Sequence, residues 1–177
     1  MLKQSLKKKF EDEMQVYDYA LNLLTYRDYC ASDMESKLLQ KGAPAELVTA
    51  AIKKLKEYGF LDERRYALRV YEAWLAKKYY GRRHLLAELQ RKHVPEQYFS
   101  EILSRFSDEE EAERAEAACV LFMQRNAKKI QQPLDNKIYA AAVRFLGVRG
   151  FSTRYVHFIR EKLHLLTICS GHHLCLS

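Results

Sequence analysis

Glycine and proline are scarce, at six and three of 177 residues. Sandwiches and barrels need a tight turn every few residues, so this shortage weighs against all-β architectures and toward helix. Cysteine is sparse as well. Cys30, Cys119, Cys169 and Cys175 are too scattered for a disulfide scaffold, and reduced thiols are expected. No apolar run reaches the ~18 residues that a membrane span needs. Lys3, Lys7, Lys8 and Lys9 run straight into Glu11, Asp12 and Glu13, so the apolar stretch of a signal peptide is missing and a cytoplasmic protein is expected. The lysine-containing phosphate loop, the serine nucleophile elbow and the paired-histidine zinc helix are all lacking, and no enzyme or cofactor is expected.

What is present is a 48% hydrophobic chain with a net charge of +7. That is enough apolar material for a core, and the charge points to an anionic partner, either nucleic acid or an acidic protein surface. Helical periodicity is the main signal. Val16, Ala20, Leu23, Leu24 and Tyr26 make one stripe. Ser32-Asp33-Met34-Glu35 reads as a capping box opening a second helix, with Leu38 and Leu39 following and Gly42 suited to a left-handed end. Pro44 opens a third, with Leu47, Val48, Ala51, Ile52 and Leu55 on its apolar side and Gly59 closing it.

The arrangement returns. Lys41-Gly42-Ala43-Pro44 is echoed by Lys92-His93-Val94-Pro95, 51 positions later, and by Arg149-Gly150-Phe151-Ser152, 108 positions later. Self-similarity on this scale marks units that bury their apolar faces on one another. The expected fold is therefore all-α: three tandem three-helix repeats over residues 12–62, 63–106 and 107–165, forming an elongated, curved array. Asp62 should cap the fourth helix, and the run Asp108 to Glu111 suits the positive start of the seventh. Ser152 should cap a last helix carrying Tyr155, Val156, Ile159 and Leu163. Residues 166–177 read as a poorly ordered tail. Its Cys169, His172, His173 and Cys175 could ligate zinc, but four candidates crowded into seven residues fit a tetrahedral site badly.

Several segments together resemble the RecX regulators of the bacterial recombinase RecA. They are Ala20-Leu21-Asn22-Leu23-Leu24, Leu38-Leu39-Gln40-Lys41-Gly42, and the run from Tyr58-Gly59-Phe60-Leu61-Asp62 to Tyr66-Ala67. The resemblance continues through Gly81-Arg82-Arg83-His84-Leu85-Leu86-Ala87-Glu88-Leu89 and Arg149-Gly150-Phe151-Ser152. The chain departs from the family pattern at Asp62-Glu63, where Asp-Asp is usual, at Gly81-Arg82, where Gly-Pro is usual, and at His93, in place of glycine. The resemblance implies a non-enzymatic modulator. Such a protein binds the recombinase filament on DNA, depresses its ATPase, strand-exchange and coprotease activities, and so acts in DNA repair, recombination and the SOS response.

The charge is uneven in a way that bears on this. Residues 63–106 hold ten Lys and Arg against five Glu, so five of the seven excess charges sit there. At 100° per residue Ala67, Val70, Tyr71 and Trp74 define the inner side of the fourth helix, sending Arg65 and Arg69 outward. Leu85, Leu86 and Leu89 do the same for the fifth, sending Arg83, Ala87 and Arg91 outward. The candidate partner- or DNA-binding residues are Arg65, Arg69, Lys77, Lys78, Arg82, Arg83, Arg91 and Lys92. The expected partners are a RecA-type filament and the DNA within it, bound by a monomer. Two other readings stay open: a helical nucleic-acid-binding module acting without the recombinase, and a helical scaffold for some other acidic protein. Tyr71 and Trp74 read as core, whereas Tyr79 and Tyr80, in a turn before Gly81, could stack on bases. Lys7 to Lys9 read as a solubilising end, and Lys53, Lys54 and Lys56 as the basic end of the third helix.

Overall fold

A computed structural model describes residues 10–129, 136–155, 157–158 and 161. Among them there is no strand, and the elements run α1 (Glu13–Tyr26), α2 (Ala31–Gln40), α3 (Ala45–Glu57), α4 (Glu63–Leu75), α5 (Arg82–Arg91), α6 (Phe99–Ser104), α7 (Asp108–Asn126) and α8 (Asn136–Val148). Short 3-10 turns lie at Glu96–Tyr98, Ala127–Lys129 and Thr153–Tyr155. By contact the described residues divide into two compact units. One holds those up to Val70 together with Leu89–Tyr98, and the other holds Tyr71–Glu88 with those from Phe99 on.

The echoes seen in the sequence are three copies of one helix ending. Leu38, Leu89 and Leu146 are each buried, and each carbonyl accepts the amide five residues on, from Ala43 (3.2 Å), Val94 (3.0 Å) and Phe151 (3.1 Å). Between them Gly42, His93 and Gly150 hold φ of +91°, +52° and +80°. The left-handed residue turns the chain so that an apolar side chain folds back onto the last turn of the helix. Histidine accepts this backbone better than most residues, which is why His93 can stand where the other two copies have glycine.

In the first unit α1 and α2 pack on α3, and Val16, Tyr17, Ala20, Met34, Leu38, Val48, Ala51 and Leu55 fill the centre. Leu47 and Ile52 flank it, so the stripe expected for α3 is present. Two expectations need correction. Tyr26 is 79% exposed, because α1 ends there and the next residues are extended; Tyr17 takes the inner position instead. Ser32 is not a cap. The helix starts two residues earlier than that cap would place it, at Ala31, and Cys30 is the cap, its Sγ accepting the Asp33 amide at 3.4 Å.

The second unit is built on Trp74 and on the α7–α8 pair. Trp74 meets Phe106 edge-on at 5.1 Å and stacks on Tyr71, while Ala115, Ala118, Cys119, Phe122, Ala142 and Leu146 interlock between α7 and α8. Ser107 and Glu110 form a reciprocal capping box at the start of α7, with Ser107 Oγ accepting the Glu110 amide at 3.0 Å and Glu110 accepting the Ser107 amide at 2.9 Å. The acidic run Asp108 to Glu111 does stand in its first turn. Tyr155 is buried as expected; Val156, Ile159, Leu163, the Cys/His tail and Lys7 to Lys9 lie outside the described residues.

Candidate partner and nucleic-acid interface

In the first unit, Asp62 caps α4 by accepting the Arg65 amide at 2.9 Å, as its sequence position suggested. Ala67 and Val70 are buried, so Arg65 and Arg69 project on the exposed side. Neither guanidinium is wholly idle: Arg65 donates to the Gly59 carbonyl at 2.9 Å, and Arg69 pairs with Asp28. Both pairs are exposed, and such contacts are worth only ~0–1 kcal/mol, so a stronger anion can displace them. Arg91 is exposed at the end of α5. Lys92 is half-buried, and its carbonyl accepts the Tyr66 hydroxyl at 3.2 Å. Burial pushes the Tyr66 phenol up to about 12, with Cys30 and Asp33 pushing the same way.

In the second unit, adjacent arginines have opposite fates. Arg83 and Lys78 are exposed, and among the described residues their side chains make no ion pair. Arg82 is turned into its own fold. Its guanidinium donates to the carbonyls of Leu103 (2.7 Å) and Phe106 (2.6 Å) and to Asp108 (2.9 Å), and its Nε lies 3.5 Å from Glu111. Glu111 is only 3% exposed, and it also meets Arg154 at 3.1 Å and accepts the Tyr155 hydroxyl at 3.3 Å. Arg154, and less strongly Arg82, holds the Asp108 carboxyl below its usual range. Lys77 is half-buried and pairs with Glu88 at 3.4 Å.

Trp74 and Tyr71 are core, as expected. Trp74 donates to His84 Nδ1 at 3.0 Å and Tyr71 to the Arg105 carbonyl at 3.1 Å, which leaves neither ring open to stack on a base. Tyr80 lies against the His84 ring at 4.1 Å, and Tyr79 stays exposed. Sequence reasoning missed Arg114, which covers Trp74 at 4.9 Å and donates to the carbonyls of Lys77 and Leu75. Burial lowers the pKa of both Arg114 and Arg149. Lys53, Lys54 and Lys56 face Glu57, Glu13 and Glu63 at 3.5–3.9 Å, which fits the expectation of an ordinary helix end.

The geometry thus presents arginines on the outer sides of α4 and α5, each above a buried stripe. Such groups bind phosphate or carboxylate without disturbing the core. Known proteins place the chain. Residues 17–55 match the family model described as RecX, first three-helix domain. The chain is similar to the regulatory protein RecX of Trichlorobacter lovleyi, 32% identical over 82% of this chain and 94% of that one. It is 35% identical to that of Pelodictyon phaeoclathratiforme over 50% of this chain and 55% of that one. The crystal structure of RecX from Lactobacillus salivarius superposes with a TM-score of 0.74, over 87% of this chain and 97% of that one, at 19% identity. With a relative matched along nearly its whole length and the same helical fold, the chain belongs to the RecX family of regulatory proteins.

Proposed function

We propose that this chain binds a RecA-type recombinase filament on DNA as a monomer and restrains it, lowering its ATPase, strand-exchange and coprotease activities. The observation that carries the reading is the exposure of Arg65 and Arg69 on α4 and of Arg83 and Arg91 on α5, in a chain of this regulatory family. Arginine is well suited to the task, because its planar fork meets either a phosphate or a carboxylate with two hydrogen bonds. Binding restrains the filament by holding one of its states over another, since a ligand shifts an equilibrium only through differential affinity. No described helix is long and apolar enough to cross a membrane.

The test is recombinase ATP hydrolysis on single-stranded DNA, measured at a salt concentration where this protein no longer binds the free strand. Slowing at amounts well below the recombinase concentration is expected. If inhibition vanishes with free-DNA binding, the protein is a nucleic-acid-binding module that competes for the strand. If neither occurs, the regulatory reading fails.

A further inference from the structure

The family reading makes no use of a cluster in the first unit. Cys30, Asp33 and His93 each offer one ligand atom, and the three atoms lie within 4.8 Å of one another. Cys30 and Asp33 are three residues apart at the first turn of α2, so they share a face. His93 arrives from a segment 60 residues further along. Its Nδ1 lies 2.5 Å from Asp33 Oδ1, and Cys30 Sγ lies 3.2 Å from Ser32 Oγ. Cys30 is 1% exposed, whereas the side chains of Asp33 and His93 are 28% and 62% exposed, so the cluster has a sheltered sulfur and an open side toward solvent.

Position 93 is the second observation. In the other two copies of this helix ending the left-handed residue is glycine, with no side chain to aim anywhere. Only here does a side chain sit on that backbone, and it is an imidazole directed at a carboxylate beside a thiol.

We propose that Cys30, Asp33 and His93 bind a borderline-soft divalent transition-metal ion, zinc foremost, with water completing a tetrahedral site. One sulfur, one nitrogen and one oxygen donor suit that ion better than magnesium or calcium, which take oxygen alone. The reaction is ligand exchange without redox change. The metal replaces the thiol proton on Cys30, which leaves to solvent, and takes the Nδ1 lone pair of neutral His93, whose single ring proton then sits on Nε2. Two ligands around one zinc stand ~3.3 Å apart given bonds of about 2 Å, so the exposed imidazole has to draw back by under about 1 Å. The ion then ties the start of α2 to the segment after α5, within one unit.

Cobalt(II) titrated into the full-length protein tests this, because a cobalt–thiolate bond gives a near-ultraviolet charge-transfer band. The wild type should develop the band to one equivalent and lose it on adding zinc. The double variant Cys169→Ser/Cys175→Ser should behave identically. Cys30→Ser should lose the band, and His93→Gly should weaken binding at least about tenfold, since loss of an outer-shell partner alone costs about that much. His93→Gly keeps the fold available for measurement, because glycine is what the other two copies hold. Zinc should also raise the melting temperature of the wild type and not of His93→Gly. No band in the wild type overturns the proposal and leaves a hydrogen-bonded helix cap. A band that survives Cys30→Ser but not the tail double variant overturns it in favour of the tail.

Discussion

Arg82 and Arg83 show what a single position decides. Both open α5, yet Arg82 binds two carbonyls and two carboxylates while Arg83 faces solvent. Removing the Arg82 side chain leaves the buried Glu111 with Arg154, Tyr155 and the backbone amide of residue 82. But it strips the Leu103 and Phe106 carbonyls and Asp108 of a donor, at about 1 kcal/mol for each lost hydrogen bond and so about 3 kcal/mol together. Arg82→Ala should therefore lower stability by about that much in urea unfolding, whereas Arg83→Ala should stay within ~0.5 kcal/mol of wild type. Equal losses would mean the Arg82 network contributes nothing specific. Helical spacing showed the outward Arg83 but could not separate it from its neighbour, because every partner of Arg82 lies more than twenty residues away. Tyr66 adds a pH dependence. Its phenol rises to about 12 in the fold from an ordinary value near 10, so its contribution is complete below the unfolded value and drains away as pH climbs from about 10 through 12. Tyr66→Phe should forfeit about 1 kcal/mol at neutral pH with the hydrogen bond to Lys92, and should flatten the alkaline fall of stability over that window.

At the scale of elements, the two kinds of positive-φ glycine make different demands. Gly59 ends α3 at φ +71° with open space where a Cβ would go. Gly150 stands at φ +80°, and a Cβ there would lie 2.2 Å from the His84 amide nitrogen. Gly59→Ala should cost about 1 kcal/mol, the backbone penalty alone. Gly150→Ala should exceed it by at least ~2 kcal/mol, because backbone has to move to make room. Melting temperatures that fall equally in the two variants would refute the steric difference. The helix endings were legible beforehand because they are local: a leucine, a left-handed residue four positions on, then an apolar residue, all within six positions. Helix starts were less so. Asp62 has the ordinary capping side chain and was found, but Cys30 caps with a thiol, a weak acceptor that pattern reading passes over in favour of the nearby Ser32. The Ser107–Glu110 box was hidden for the opposite reason, inside an acidic run whose helix-start signal did not single out its cap. The Cys30, Asp33 and His93 cluster was invisible, since nothing local joins residues 33 and 93.

For the molecule as a whole, the question is whether placed charge or total charge acts on the partner. Reversing Arg65, Arg69, Arg83 and Arg91 to Glu changes exposed side chains of α4 and α5 and disturbs the exposed contacts of Arg65 and Arg69, so folding should change little. Reversing Lys53, Lys54 and Lys56 alters net charge nearly as much, but at a helix end where each already faces a glutamate. If the arginines meet phosphate or carboxylate directly, their reversal should abolish measurable filament binding or weaken it steeply. Single reversals should each reduce the slope of affinity against salt by about one released counterion. The lysine reversal should shift affinity only through the long-range field, an effect that fades once salt shortens the screening length to ~8 Å. Filament binding measured at two salt concentrations separates the cases. A gap between the two sets that persists at high salt assigns the contact to α4 and α5. Equal weakening that disappears at high salt would reduce the basic balance of the chain to a general attraction, and the four arginines would then be ordinary solvated surface.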